Sequence, residues 1–445
     1  MLTVAGILVS LSLLVGLTVK VKLHPFFALT LAAVSFGLIV GMNVNSLLDA
    51  YAAGLGATVA GIGTVIAIGT VMGMLMEMSG SAEKMARTIL GFTGRKHAAL
   101  GLAITGYFVS IPVFCDSAFV LLSPLAKRLS RDSATSMTTM VVALAMGLHA
   151  THMLVPPTPG PLAVAGIVGA DLGSAILLGM LVSVPVMAVA LVAGRFLGSR
   201  FSYLPDDIPD APDEGARLPC AVEAFLPILV PIVLILLRTV ASLESHPFGT
   251  GTAFAWIHAL GNTVAALLVG LSIAAFTYWR LNPRDRRMWT FDGGVGEALK
   301  TAGQIVLIVG AGGAFAAVLK ASGLQGVVER GFSGASAGIL VPFAIGAIFR
   351  TAIGSGTVGM ITAASMLVPL MDSLGLATPV GRVVAMLACA SGGFMVFHGN
   401  DDFFWVVTSA SGMKPEIAYR VLPLVSVLQA FTALGVVCIL YFTLV

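Results

Sequence analysis

Five ionisable side chains interrupt otherwise apolar stretches: Asp116, Arg350, His398, Asp401 and Asp402. A charge at bilayer depth is expensive, so each is a candidate for binding or ion movement. They coincide with breaks that also bring the hydroxyls of Ser117, Thr158, Ser355 and Thr357, the backbone of Gly356 and the amide of Asn400. Helix halves that begin at a central break point their N-terminal amides and partial positive charge inward, which suits a carboxylate. Arg350 adds a full positive charge. One deep guanidinium among hydroxyl, amide and imidazole groups suits a small hydroxylated monocarboxylate better than a di- or tricarboxylate needing two cationic clamps.

The expected substrate contacts are therefore Ser117, Thr158, Arg350, Ser355, Gly356, Thr357, His398 and Asn400. Asp116 and Asp401 are expected to carry the coupling ion, because a carboxyl that exchanges water for protein during a cycle can take up and release a proton. The same groups with carbonyls and hydroxyls near broken helices also make cation sites, so sodium is the alternative coupling ion. Asp402 reads as a helix cap. His149 and His152 share a helix face, but no third ligand follows at metal spacing, so neither a metal nor a cofactor is expected. The remote alternative is an intramembrane enzyme using His149, His152 and Asp116. Glu77 lies near a span end and reads as an interfacial group. Cys115, Cys220, Cys389 and Cys438 are far apart and read as small buried hydrophobes.

The elements that position these groups follow from composition. Of 445 residues, 58% are hydrophobic and 10% charged, against roughly one quarter charged in a soluble domain. A soluble enzyme is excluded, and an all-α polytopic membrane protein is implied. The net charge of +3 is too small to suggest nucleic acid. Apolar runs at 2–19, 24–42, 54–78, 173–194, 223–243, 253–279, 298–319 and 417–445 each read as one crossing, the first as a retained span rather than a signal peptide. Residues 98–126 have basic flanks on both sides, so both ends belong to the cytoplasmic face and the stretch reads as a re-entrant hairpin with its tip near Ser110 to Ser117. Residues 335–371, flanked by Glu329 and Asp372, read as a second hairpin entering from outside. Two crossings break halfway, 137–170 at Pro156 to Pro161 and 380–411 at His398 to Asp402.

Tracking Lys and Arg through the loops gives about ten crossings plus two hairpins, with segments such as 43–53 outside and 79–97 inside. The halves match at corresponding positions. Met76 to Gly80 faces Leu319 to Gly323, Ser123-Pro124-Leu125 faces Val368-Pro369-Leu370, and break faces break. Five crossings per half invert the second copy. Two inverted repeats are thus expected, 1–200 and 223–445, joined by a cytoplasmic linker at 201–222. Paired discontinuous helices in inverted repeats point to a secondary transporter with a midplane site.

These residues resemble the gluconate permease family, the gluconate:proton symporters of the wider ion transporter superfamily. The resemblance covers nearly the whole chain. It rests on Gly73 to Gly80 with Lys96-His97, Phe114 to Phe119 running into Pro124-Leu125, Pro156 to Pro161, Val309 to Phe315, Ser355 to Val358, and His398-x-Asn400-Asp401-x-x-Phe404-Trp405. It implies proton-coupled uptake of gluconate, a related sugar acid, glycerate or D-serine across a bacterial inner membrane. It further implies a homodimer in the lipid bilayer whose hairpin-bearing domain moves like an elevator. Cys115-Asp116-Ser117 stands where gluconate carriers tend to have an aromatic, a Glu and an apolar residue, and Thr158 stands where many have His.

Overall fold

The computed structural model describes residues 2–205, 217–242, 247–322, 338–399 and 401–445. The middle of the expected linker (206–216), Glu329 and Asn400 lie outside the described residues. The described chain is helical, without strands, and seven stretches are long and apolar enough to cross a bilayer.

Several boundaries differ from expectation for local reasons. The first two runs form α1 (Leu2–Val15) with a π-helical turn at Gly16–Lys20, and α2 (Pro25–Ile39). At 1.5 Å per residue these helices span only about 20 Å of a hydrocarbon core of roughly 30 Å, and they pack on each other. The expected outer loop at 43–53 is instead the start of α3 (Val44–Met78), because the Asn43 side chain caps it by accepting the Asn45 amide at 2.9 Å. The inner loop at 79–97 contains an amphipathic helix, α4 (Ser81–Thr93), held between Gly80 and Gly94 at positive φ. The run at 253–279 splits into α11 (Thr252–Leu260) and α12 (Thr263–Leu281), since Asn262 caps α12 through the Val264 amide at 3.0 Å.

The four interruptions fall where the sequence places them. The first hairpin is α5 (Ala98–Val109) and α6 (Cys115–Asp132); the second is α14 (Leu340–Ile353) and α15 (Gly356–Leu367). The broken helices are α7 (Met137–Leu154) with α8 (Pro159–Val168), and α16 (Pro379–Gly392) with α17 (Asp402–Ser411). The remaining long helices are α9 (Leu172–Arg200), α10 (Ala221–Ala241), α13 (Gly294–Ala321) and α18 (Pro415–Leu444).

Packing follows a paired pattern. The first arm of each hairpin lies on the broken helix that follows it, α5 on α7 and α14 on α16; the second arm lies on the far half of the other broken helix, α6 on α17 and α15 on α8. Between the halves, α3 and α13 make the most extensive contact in the chain. A Cβ on Gly54 would come within 2.7 Å of the Gly313 carbonyl and 2.9 Å of the Ala314 Cα, so small residues let these two backbones approach.

Without an aqueous solvent to drive helix association, such close backbone contacts set the geometry of the bundle. A Cβ on Gly147 would lie 2.5 Å from the Ala103 carbonyl oxygen and 3.0 Å from its Cα, and one on Gly106 would lie 2.8 Å from the Leu144 oxygen. Backbone atoms of packed helices cannot step aside. Gly147→Leu is expected to destabilise the α5–α7 contact by about 1–3 kcal/mol or more, lowering the melting midpoint in detergent, whereas the same change at Gly303, which has open space around its Cα, leaves the midpoint in place.

Candidate functional site

Each break ends or starts a helix where the backbone must find new partners. At the first hairpin tip, Ser110 to Phe114 turn the chain, and the Pro112 carbonyl presses on Gly73 of α3, which has no room for a Cβ. Asp116 then falls in the first turn of α6, a position that favours a carboxylate. At the second tip, Gly354 sits at φ +89 and Ser355 caps α15, its Oγ accepting the Val358 amide at 3.4 Å. In the first broken helix, Thr158 precedes Pro159, the first residue of α8, and donates its hydroxyl to the Val155 carbonyl at 2.6 Å. In the second, Asp401 caps α17, with Oδ1 accepting the Phe403 amide at 2.9 Å.

Asp401 carries the central interaction. Its Oδ2 accepts from Nη2 of Arg350, which sits in the last turn of α14 at 1% exposure; the Asp401 side chain is at 12%. The pair thus ties the second hairpin to the second broken helix. The guanidinium also lies over the Phe397 ring at 5.8 Å. Its Nε and Nη1 have no hydrogen-bond partner among the described residues. A Cβ on Gly356 would meet Nη1 at 3.8 Å and Met153 Sδ at 3.0 Å, so glycine keeps the approach to the guanidinium thin on that side.

A cavity of about 640 Å³ opens beside this pair. Of the expected residues, Asp116, Ser355, Gly356, Thr357 and Asp401 line it. Arg350 is not on its surface but one layer behind Asp401 and Gly356. Three expected ligands are engaged elsewhere. Ser117 donates to the Glu77 carboxylate, which makes Glu77 a half-buried partner of the first hairpin rather than an interfacial group. Thr158 lines a separate, water-sized void with Thr70 and Pro112. His398 bonds to the Thr351 backbone. The roles expected for Asp401 and Asp402 also shift: Asp401 is the cap, and Asp402 faces the cavity.

The structure adds wall residues that spacing did not single out as ligands: Thr18, Lys22, Cys115, His149, His152 and Trp405. Lys22 follows the π-helical turn and adopts φ +56. Its only sequence signal was a basic loop. No group of three or more potential metal ligands occurs among the described residues.

The chemistry on offer is reversible binding rather than bond making: carboxylates for a proton or cation, guanidinium donors for an anion, and a cavity between breaks that belong to different parts of the chain. A buried ion pair is strongly destabilised when one partner is lost. Asp401→Asn, which preserves the cap, is expected to cost about 3–5 kcal/mol in unfolding measured in detergent. Adding Arg350→Gln to it should cost less than the sum of the single changes, the double-mutant signature of a direct pair; additivity would show that the two groups act independently.

Comparison with known proteins gives the family. The family model described as GntP family permease matches residues 2–445. A gluconate permease of Pseudomonas aeruginosa is 34% identical over 93% of this chain and 92% of its own, and a D-serine transporter of Escherichia coli K12 is 31% identical over 92% and 91%. The fold is similar to that of the Alcanivorax borkumensis YdaH transporter, with a TM-score of 0.66 at 17% identity over 94% of this chain and 97% of that one. The chain belongs to the GntP permease family: it is a multi-pass membrane transporter and not an enzyme.

Proposed function

We propose that the protein is a secondary active symporter that imports a small hydroxylated monocarboxylate, of the sugar-acid, glycerate or D-serine type, together with protons across a bacterial inner membrane. The observation that carries this reading is the buried Arg350–Asp401 pair with unfilled guanidinium donors beside a polar cavity. Nε and Nη1 lie on different edges of the guanidinium, so each can give one charge-assisted hydrogen bond to an anion that approaches past Asp401 or Gly356. The α15 N-terminus at Ser355 and Gly356 adds backbone amides on the same side.

Charge balance supports the coupling. Asp116, Asp401 and Asp402 line the cavity with Lys22, and Arg350 offsets Asp401 from behind. An anion entering this space meets the carboxylates of Asp116 and Asp402, whose two charges the single ammonium of Lys22 offsets only in part. A proton on Asp116 removes one repulsion, so proton and anion each favour binding of the other, and linkage makes that favour reciprocal. The paired packing of hairpins and broken helices supports reading residues 1–200 and 223–445 as two inverted repeats, whose hairpin-bearing part moves relative to the α3–α13 contact in the manner of an elevator. A homodimer in the bilayer is part of the same proposal.

Proteoliposomes with an imposed pH gradient in sodium-free buffer test this directly. Wild-type protein should concentrate a labelled hydroxy acid. Arg350→Lys should lower uptake by about a hundredfold, since a point charge cannot replace the fork, and Asp116→Asn should retain exchange of labelled for unlabelled acid while losing pH-driven accumulation. Accumulation that requires added sodium and ignores the pH gradient would assign the coupling to sodium instead.

A further inference from the structure

Two imidazoles on the cavity wall, one buried and one half-buried, have no task in the scheme above. His149, the buried one, and His152 lie one turn apart on α7, and both residues line the 640 Å³ cavity. Nδ1 of each ring is sealed and has no hydrogen-bond partner among the described residues. His149 is packed against Phe394 and Phe397, with ring centroids 5.0 and 5.5 Å away, and Gln429, which donates to the Met146 carbonyl at 3.0 Å, stands beside it. His152 has no aromatic partner and no hydrogen bond to any described group. It also separates the cavity from the water-sized void lined by Thr70 and Thr158.

A polar ring kept in a protein interior without a partner costs stability, and an apolar side chain of similar volume would remove that cost. On His152 that cost falls on the sealed Nδ1; its other nitrogen, Nε2, is not sealed, and because the residue lines the cavity that nitrogen is open to a partner arriving there. The other polar groups nearby constrain what that partner is. Asp116, Asp401 and Asp402 are acceptors when ionised, and Lys22 and Arg350 are donors only. The open nitrogen of a neutral imidazole donates or accepts according to its tautomer, and a hydroxyl can answer in either role.

We propose that His152, backed by His149, is the specificity-determining residue that recognises a hydroxyl of the transported acid. The carboxylate is held at the Arg350 side and a carbon-borne hydroxyl is read at the α7 side. This rests on the proposed transport of a hydroxy acid and deepens it, because it assigns discrimination between an acid and its deoxy analogue to one side chain. A site that hydrogen-bonds a substrate hydroxyl rejects the analogue lacking it, because the site's own polar group is then left unpaired.

The test uses the full-length protein in proteoliposomes and compares pairs of acids that differ by one hydroxyl, glycerate with lactate and gluconate with 2-deoxygluconate. For at least one pair, wild-type protein should prefer the hydroxylated member by about tenfold or more in kcat/KM. His152→Leu should collapse that ratio to about threefold or less, by raising KM for the hydroxylated acid more than for the deoxy acid. His152→Gln, which keeps a donor and an acceptor, should recover part of the ratio. An unchanged ratio in His152→Leu protein that melts like the wild type would overturn the assignment and leave His152 a packing residue. Failure of wild-type protein to transport any of the four acids or D-serine is visible before any variant is made, and it would overturn the functional reading together with this one.

Discussion

The site is organised by one ion pair placed where two interrupted segments meet. Arg350 belongs to the last turn of α14 and Asp401 to the cap of α17, so a single contact ties the second hairpin to the second broken helix. Buried ion pairs are weak contributors to stability compared with well-packed apolar residues of similar volume. What such a pair supplies is geometry: Asp401 accepts the Phe403 amide with one oxygen and Arg350 with the other, which fixes the guanidinium and leaves Nε and Nη1 unfilled. The same residue pair therefore closes the fold locally and keeps an anion-binding surface incomplete.

The breaks account for where the hydroxyls go. Non-helical backbone at membrane depth must satisfy its polar groups from within the protein, and the nearest side chains are claimed first. Thr158 serves the Val155 carbonyl, Ser355 serves the Val358 amide, and Ser117 serves Glu77 across from α3. A sequence shows that hydroxyls cluster at a break without showing whether backbone or ligand receives them. That is why Thr158 and Ser117, both natural ligand candidates by position, turn away from the main cavity, while Asp116 and Asp402, which extend from first helical turns, remain on its wall.

Much of the fold was legible because its signals are local and strong. The stretch Ser110 to Phe114 with Pro112, Pro156 to Pro161, Gly354 to Gly356 and His398 to Asp402 do not continue a regular apolar helix, and the four interruptions occur at those places. Caps were less legible than breaks: Asn43 and Asn262 move helix boundaries by several residues, and α4 is recognisable only through the spacing of Met85, Ala86 and Ile89 between two positive-φ glycines. The packing of α6 on α17 and of α15 on α8 depends on distant contacts that no window of sequence contains. His149 and His152 are visible in the sequence as a motif, but the place of His152 on a cavity wall without a partner among the described residues depends on the tertiary packing.

These constraints bear together on what a permease of this kind must do. A cavity that held its substrate in a full set of fixed hydrogen bonds would bind well and release poorly, since uniform binding lowers the free energy of the loaded state without easing the steps that follow. Here the fixed bonds are spent on the backbone breaks, and the groups facing the cavity are ones whose charge can be neutralised or whose partners are absent. On the proposed coupling, loading requires two arrivals, an anion for the guanidinium and a neutralising ion for the carboxylates, and each arrival makes the other easier. Departure of either weakens the hold on its companion. Obligatory coupling needs no additional device beyond this shared charge, provided that the empty and fully loaded cavities rearrange more readily than the half-loaded ones, in which an uncompensated charge is left in a low-dielectric interior.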